Sequence, residues 1–188
     1  MKFIGRAAFI LMIGSWVPVA ACTPQGSTSE QAASEQAAYS QAVAAVEAGI
    51  EEAAALFAQG KYEDAVVTLS QTLSVSEAQL GEGPYTALVL TDLGLNQASS
   101  GKFSNAQESY LRALAIHDRL RSRGTTRDVK SELVLLNNLG LFYLNTGRPE
   151  QAQQYVHRAR ALAQSTGMAD EPQANMTEDL VRRLERAR

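Results

Sequence analysis

A six-residue signature occurs three times in this chain, and it constrains the fold more than any other feature. Gly60-Lys61-Tyr62-Glu63-Asp64-Ala65, Gly101-Lys102-Phe103-Ser104-Asn105-Ala106 and Gly147-Arg148-Pro149-Glu150-Gln151-Ala152 align without gaps. Each reads glycine, a basic residue, a ring-bearing residue or proline, two polar residues and alanine. The glycines lie 41 and 46 residues apart. Seven residues before the second and third come Gly94 and Gly140, each preceded by leucine. Beyond the motif alanines come Thr72-Leu73, Ala113-Leu114 and Ala159-Arg160. Self-similarity at such a period marks a stacked architecture, in which no single unit buries its apolar face alone.

The segments between the signatures have a helical pattern. Val129 to Thr146 contains Val134, Leu135, Leu136, Leu139, Leu141, Phe142, Tyr143 and Leu144. That apolar surface is wider than one stripe, so the helix must pack on two sides. Gly140 would admit a close neighbour. Gly147 stands where a helix end needs positive φ, and Pro149 then falls in the first turn of the next helix, where its missing N–H is harmless. Gly83-Pro84 likewise starts a helix. Thr125-x-x-Asp128 and Asn175-x-x-Glu178 have the spacing of capping boxes. Helices are therefore expected over residues 35–59, 62–80, 84–100, 103–123, 127–146, 149–166 and 175–187, with no strand. The last carries Arg182, Arg183, Arg186 and Arg188 behind Leu180, Val181 and Leu184, as a polar-backed cap on a stacked array would.

The three copies resemble the tetratricopeptide repeat over roughly residues 45 to 168. Their spacing exceeds the usual repeat of about 34 residues. Together with Leu136-Asn137-Asn138-Leu139, it resembles the lengthened kinesin-light-chain type. The first copy departs at Ala53, where a helix-A glycine is usual, and at Thr72, where alanine is usual. The third departs at Pro149 and Arg160. The resemblance implies an all-α fold: a right-handed α-solenoid of three helix pairs over residues 37–168, closed by a capping helix within 169–188. It also implies that the first helix of each pair faces a concave groove. Asn137, Leu141 and Asn145 share a face at i, i+4 and i+8, flanked by Asn138 and Val134. Leu88, Thr91, Leu95 and Ser99 take the matching places in the second copy. Asparagine amides both donate and accept hydrogen bonds, which suits the backbone of an extended peptide, and the leucines suit its side chains.

The N-terminus carries a separate signal. Lys2 and Arg6 precede Ala7 to Ala21, a 15-residue run whose only polar interruption is Ser15. A membrane-spanning helix needs about 20 apolar residues, so this run fits the apolar region of a signal peptide. It ends Val19-Ala20-Ala21-Cys22, and Cys22 is the only cysteine. That tetrad resembles the lipobox of bacterial lipoproteins. The resemblance implies cleavage after residue 21, acyl chains on Cys22 and, with Thr23 in place of Asp, an outer-membrane address facing the periplasm. Residues 22–36 are rich in Ser, Thr, Gln and Ala and are expected to form a flexible tether.

Charge is uneven. Thr23 to Ser100 holds 10 acidic residues and one basic, Lys61, whereas Gly101 to Arg188 holds 10 acidic and 14 basic. Arg119, Arg121, Arg123, Arg127 and Lys130 gather around the turn between the second and third copies, where they could meet an anionic partner. Overall acidity argues against nucleic acid. Nothing points to an enzyme, a metal site or a cofactor. His117 and His157 lie on different copies without a ligand at metal spacing, and no glycine-rich phosphate loop follows a strand. The expected function is that of a non-enzymatic scaffold, lipid-anchored to the membrane, holding a protein or extended peptide in its groove during pilus, secretion or envelope assembly. A glycan-associated envelope factor using the cationic distal half, and a cytosolic adaptor whose leader is misread, are the alternatives.

Overall fold

The computed structural model describes residues 29–124 and 128–186. These fold into α1 (Ser29–Ala58), α2 (Tyr62–Gln79), α3 (Pro84–Ser99), α4 (Phe103–Ser122), α5 (Val129–Asn145), α6 (Pro149–Ser165) and α7 (Pro172–Arg186). Among the described residues no helix is long and apolar enough to cross a membrane.

The repeated signature is the joint inside each helix pair. Gly60, Gly101 and Gly147 take φ of 74°, 81° and 73°, a region open to glycine without steric cost. The basic residue that follows donates its N–H back across the joint. Lys61 bonds to the carbonyl of Leu56 at 3.0 Å, Lys102 to Gln97 at 2.8 Å and Arg148 to Tyr143 at 2.8 Å. These are the closing bonds of Schellman motifs. The carbonyl of the same basic residue then accepts from the motif alanine, Ala65, Ala106 or Ala152. One residue thus ends the first helix and opens the second. All three alanines are fully buried.

The helices form two layers. α1, α3, α5 and α7 are backbone neighbours in succession, whereas no Cα of α2, α4 or α6 lies within 8 Å of another of these three. Long side chains span the outer gaps: Lys102 to Glu63, Arg112 to Glu77 and Arg158 to Asp118. An array that is close-set on one side and splayed on the other is curved, with the α1–α3–α5–α7 layer on its concave side. This is the all-α solenoid expected from the sequence.

Close approach within each pair is made at a glycine. A Cβ on Gly94 would stand 2.7 Å from the Tyr110 ring, and one on Gly140 would stand 2.6 Å from Val156 Cγ2. In the first pair the same device sits one turn earlier. Gly49 faces Thr72, whose Oγ1 would lie 2.1 Å from an added Cβ. The two departures of the first copy, Ala53 and Thr72, therefore belong together: the bulkier Thr72 is accommodated by a glycine moved from position 53 to position 49.

Three boundaries differ from expectation. α1 begins at Ser29, so residues 29–36 of the expected tether are helical and exposed. The alanines of Ser29–Ala38 carry no side-chain entropy into a helix, and the polar composition concealed that propensity. α7 begins at Pro172, which puts Asn175 inside the helix and not at its cap. The cap of α5 is Asp128 itself, whose side chain accepts from the Ser131 N–H at 3.1 Å. Thr125 lies outside the described residues, as do residues 1–28 with Cys22.

The basic turn is largely satisfied within the molecule. Arg119 pairs with Glu82, Arg121 with Asp118 and Glu132, and Lys130 with Glu171. Arg127 lies outside the described residues. Glu132 is 1% exposed and also accepts from Arg158 at 3.0 Å. Arg123 is exposed. Much of the positive charge that the sequence offers as a partner surface is thus paired within the molecule, and the Glu132 pairs join α4, α5 and α6. His117 is buried beside this group, and burial pushes its pKa down.

Candidate groove on the concave face

The concave layer carries a cleft between α3 and α5. Leu95, Leu141 and Phe142 form its apolar floor, Ser99, Asn138 and Asn145 give polar edges, and Phe103 and Tyr110 close one side. Its volume is about 180 Å³. Phe103 is 52% exposed, an unusual position for a phenylalanine, and its ring lies 6.5 Å from Phe142. Phe142 continues edge-on to Tyr110 and Tyr143. Arg148, from the third signature, lies over Phe142 and Tyr143 at 5.4 and 4.6 Å from the ring centroids, close enough for cation–π attraction. The cleft therefore stands on a braced aromatic cluster.

Of the nine groove residues expected from the sequence, Leu95, Ser99, Asn138, Leu141 and Asn145 line this cleft. Leu88 and Val134 are half-buried on the same stripes, outside the cleft. Two do not belong to the surface. Thr91 is fully buried and donates to the carbonyl of Ala87 at 2.8 Å. Asn137 is also fully buried. Its Nδ2 donates to the carbonyl of Gln173, and its Oδ1 accepts from Thr177 Oγ1, both at 2.8 Å. Asn137 is a clamp that fixes α7 onto α5, with no amide group left for a ligand.

By helical period, the stripes that continue from the cleft along the two helices are Leu88, Asp92, Leu95 and Ser99 on α3, and Val134, Asn138, Leu141 and Asn145 on α5. Both run i, i+4, i+7, i+11, and they match residue for residue at the 46-residue spacing of the glycines. Asp92 is the member that sequence reasoning missed. Aligning it with Asn138 through Gly94 and Gly140 would have found it. Among the described residues no side chain pairs with its carboxylate, and burial pushes its pKa up from 3.8 to about 6.

That shift has a definite sign. A carboxyl whose pKa is higher folded than unfolded binds protons more tightly in the native state, so it lowers stability as pH rises from about 4 to 6 and leaves that loss in place above 6. Asp92→Asn, which copies Asn138, should therefore raise stability at pH 7 by about 1–3 kcal/mol. The gain should shrink below pH 6 and vanish near pH 4. Thermal melts of both proteins across that range check it. A gain that stays constant with pH would show that charge burial is not its cause.

Residues 47–119 match one tetratricopeptide-repeat family model, and residues 133–166 match a second. The first runs from within α1 to near the end of α4, the second takes in most of α5 and all of α6, and together they span more than half of the chain. The chain is a tetratricopeptide-repeat protein. No curated protein matches it.

Proposed function

We propose that this chain is a lipid-anchored, non-enzymatic adaptor that holds an extended segment of a partner protein in its concave groove at the bacterial envelope. The observation that carries this reading is the cleft between α3 and α5, where two matching stripes from successive repeats meet over an exposed Phe103. Tetratricopeptide repeats are protein-interaction scaffolds, and this cleft is where such an array would offer its binding surface. The anchor and the periplasmic, outer-membrane address rest on Val19-Ala20-Ala21-Cys22 and Thr23. Assembly of pili, secretion channels or other envelope structures is the setting in which a tethered adaptor of this kind would act. The glycan reading loses support, since most of the basic residues around the turn are paired internally.

The test joins groove and anchor. Leu141→Arg places a charge in the cleft on a half-buried position, with little effect on helix propensity. Cross-linked partner recovered from intact cells should fall about tenfold or more, the loss expected when a central apolar anchor is removed, with the circular dichroism spectrum unchanged. Cys22→Ser should release the protein from membranes without altering groove binding in detergent extract. Undiminished capture by folded Leu141→Arg would move the interface off the groove. Membrane retention of the serine variant with acyl labelling intact would exclude the anchor.

A further inference from the structure

The groove has opposite charges at its two ends. At the α1 end, Glu47 accepts from the Tyr85 hydroxyl at 3.4 Å, and Tyr85 lies one turn before Leu88 on the α3 stripe. Glu51 follows Glu47 on the same face of α1, and both are exposed. Asp92 comes next along the concave layer, unpaired among the described residues. The middle is apolar, with Leu95, Leu141 and Phe142. At the α7 end, Arg183 donates to Asn145 Oδ1 at 3.3 Å. Arg183 and Arg186 line a second depression that shares Leu141 with the cleft. Arg182 lines it too, but is paired with Asp179. The sequence of surfaces from α1 to α7 is thus acidic, apolar, basic.

We propose that the groove selects a bipolar segment of its partner: an extended stretch with a basic end over Glu47, Glu51 and Asp92, an apolar side chain in the central cleft, and an acidic end over Arg183 and Arg186. This rests on the groove being the binding surface. Adjacent helices pack about 8–10 Å apart, so the three steps from α1 to α7 cover roughly 27 Å. An extended chain advances about 3.3 Å per residue, which makes the occupant eight or nine residues long. Charge complementarity of this kind chiefly rejects wrong partners, because a like charge at either end is repelled. A wholly acidic segment would meet Glu47 and Glu51, and a wholly basic one would meet Arg183 and Arg186. Asp92 belongs to this arrangement geometrically. Burial withdraws its carboxylate from water, and a cation beside it would favour its charged form.

The probe is a display library of random nonapeptides with leucine or phenylalanine fixed at the centre, selected on the folded protein at low salt. Bipolar sequences should be enriched about tenfold over sequences with one sign at both ends, with the advantage shrinking at high salt. Arg183→Glu with Arg186→Glu, two exposed changes, should switch enrichment to sequences basic at both ends. Glu47→Lys with Glu51→Lys should switch it to sequences acidic at both ends. Enriched sequences without charge separation, or the same sequences from wild type and both variants, would overturn the proposal while leaving the groove intact as a binding surface. If Leu141→Arg enriches the same peptides as wild type, the groove reading itself fails, and this proposal with it.

Discussion

Gly140→Leu is expected to lower stability by about 3 kcal/mol or more, the upper part of the range for forced overpacking. For an array of this size that is a fall in midpoint of roughly 6–12 °C. The reason is local. Even a methyl group at this position would stand 2.6 Å from Val156 Cγ2 and 3.5 Å from Leu180 Cδ1. Val156 is 1% exposed and β-branched, so its rotamer cannot swing aside. The clash has to be relieved by separating α5 from α6, and α7 rests on both. Gly140→Ala makes the comparison sharper. Inside an ordinary helix that change stabilises by about 1 kcal/mol through propensity, yet here it should destabilise. Thermal melts followed by circular dichroism measure both. A midpoint for either variant at or above wild type would contradict the close crossing of α5 and α6.

Arg158→Met should cost about 2–4 kcal/mol, although an arginine on an outer helix looks dispensable. Its guanidinium reaches Glu132, which is 1% exposed and sits at the junction of α4, α5 and α6. Removing one partner of a buried pair leaves a desolvated charge, and breaking such pairs typically costs about 3–5 kcal/mol. Arg121, at 3.4 Å from Glu132, keeps the loss towards the lower part of that range. The control is Arg112→Met. Arg112 pairs with Glu77, but both side chains are well exposed, at 46% and 39%, and such a pair contributes about 0–1 kcal/mol. Urea denaturation of the two variants separates these cases. Equal losses would mean that burial of Glu132 does not govern the junction. A double-mutant cycle with Glu132→Gln should give a coupling energy of about 1 kcal/mol or more.

The interior of the fold was legible because glycine and proline punctuate it. The expected 62–80, 84–100, 103–123 and 149–166 correspond to Tyr62–Gln79, Pro84–Ser99, Phe103–Ser122 and Pro149–Ser165. In each case a positive-φ glycine or a first-turn proline fixes the edge. The two outermost boundaries differ, the first for want of such a mark and the last although it carries one. At Ser29 low hydrophobicity stood for disorder while alanine content favoured helix, and at Pro172 the proline was passed over for a later asparagine. The groove was half legible for a different reason. Helical period admits either position 91 or 92 after Leu88, and either 137 or 138 after Val134. The choice depends on which side neighbouring helices cover. Thr91 and Asn137 face inward, and Asn137 is covered by a helix that begins 35 residues later, a contact that no local pattern contains. The basic turn misled because a cluster of arginines in sequence says nothing about acids brought to it from α5 and from the segments just before α3 and α7.

The splayed outer layer also determines how the molecule deforms. Along the concave side, backbone lies on backbone, and any change of spacing must compress or open packed side chains. Along the convex side, the links from α2 to α4 and from α4 to α6 run through long arginine and lysine chains that are all partly in water. Such links stretch cheaply and loosen with added salt. The array therefore behaves like a leaf spring whose inner leaf keeps its length while the outer leaf yields. Its radius of curvature is the soft coordinate, and ionic strength is a dial on its stiffness.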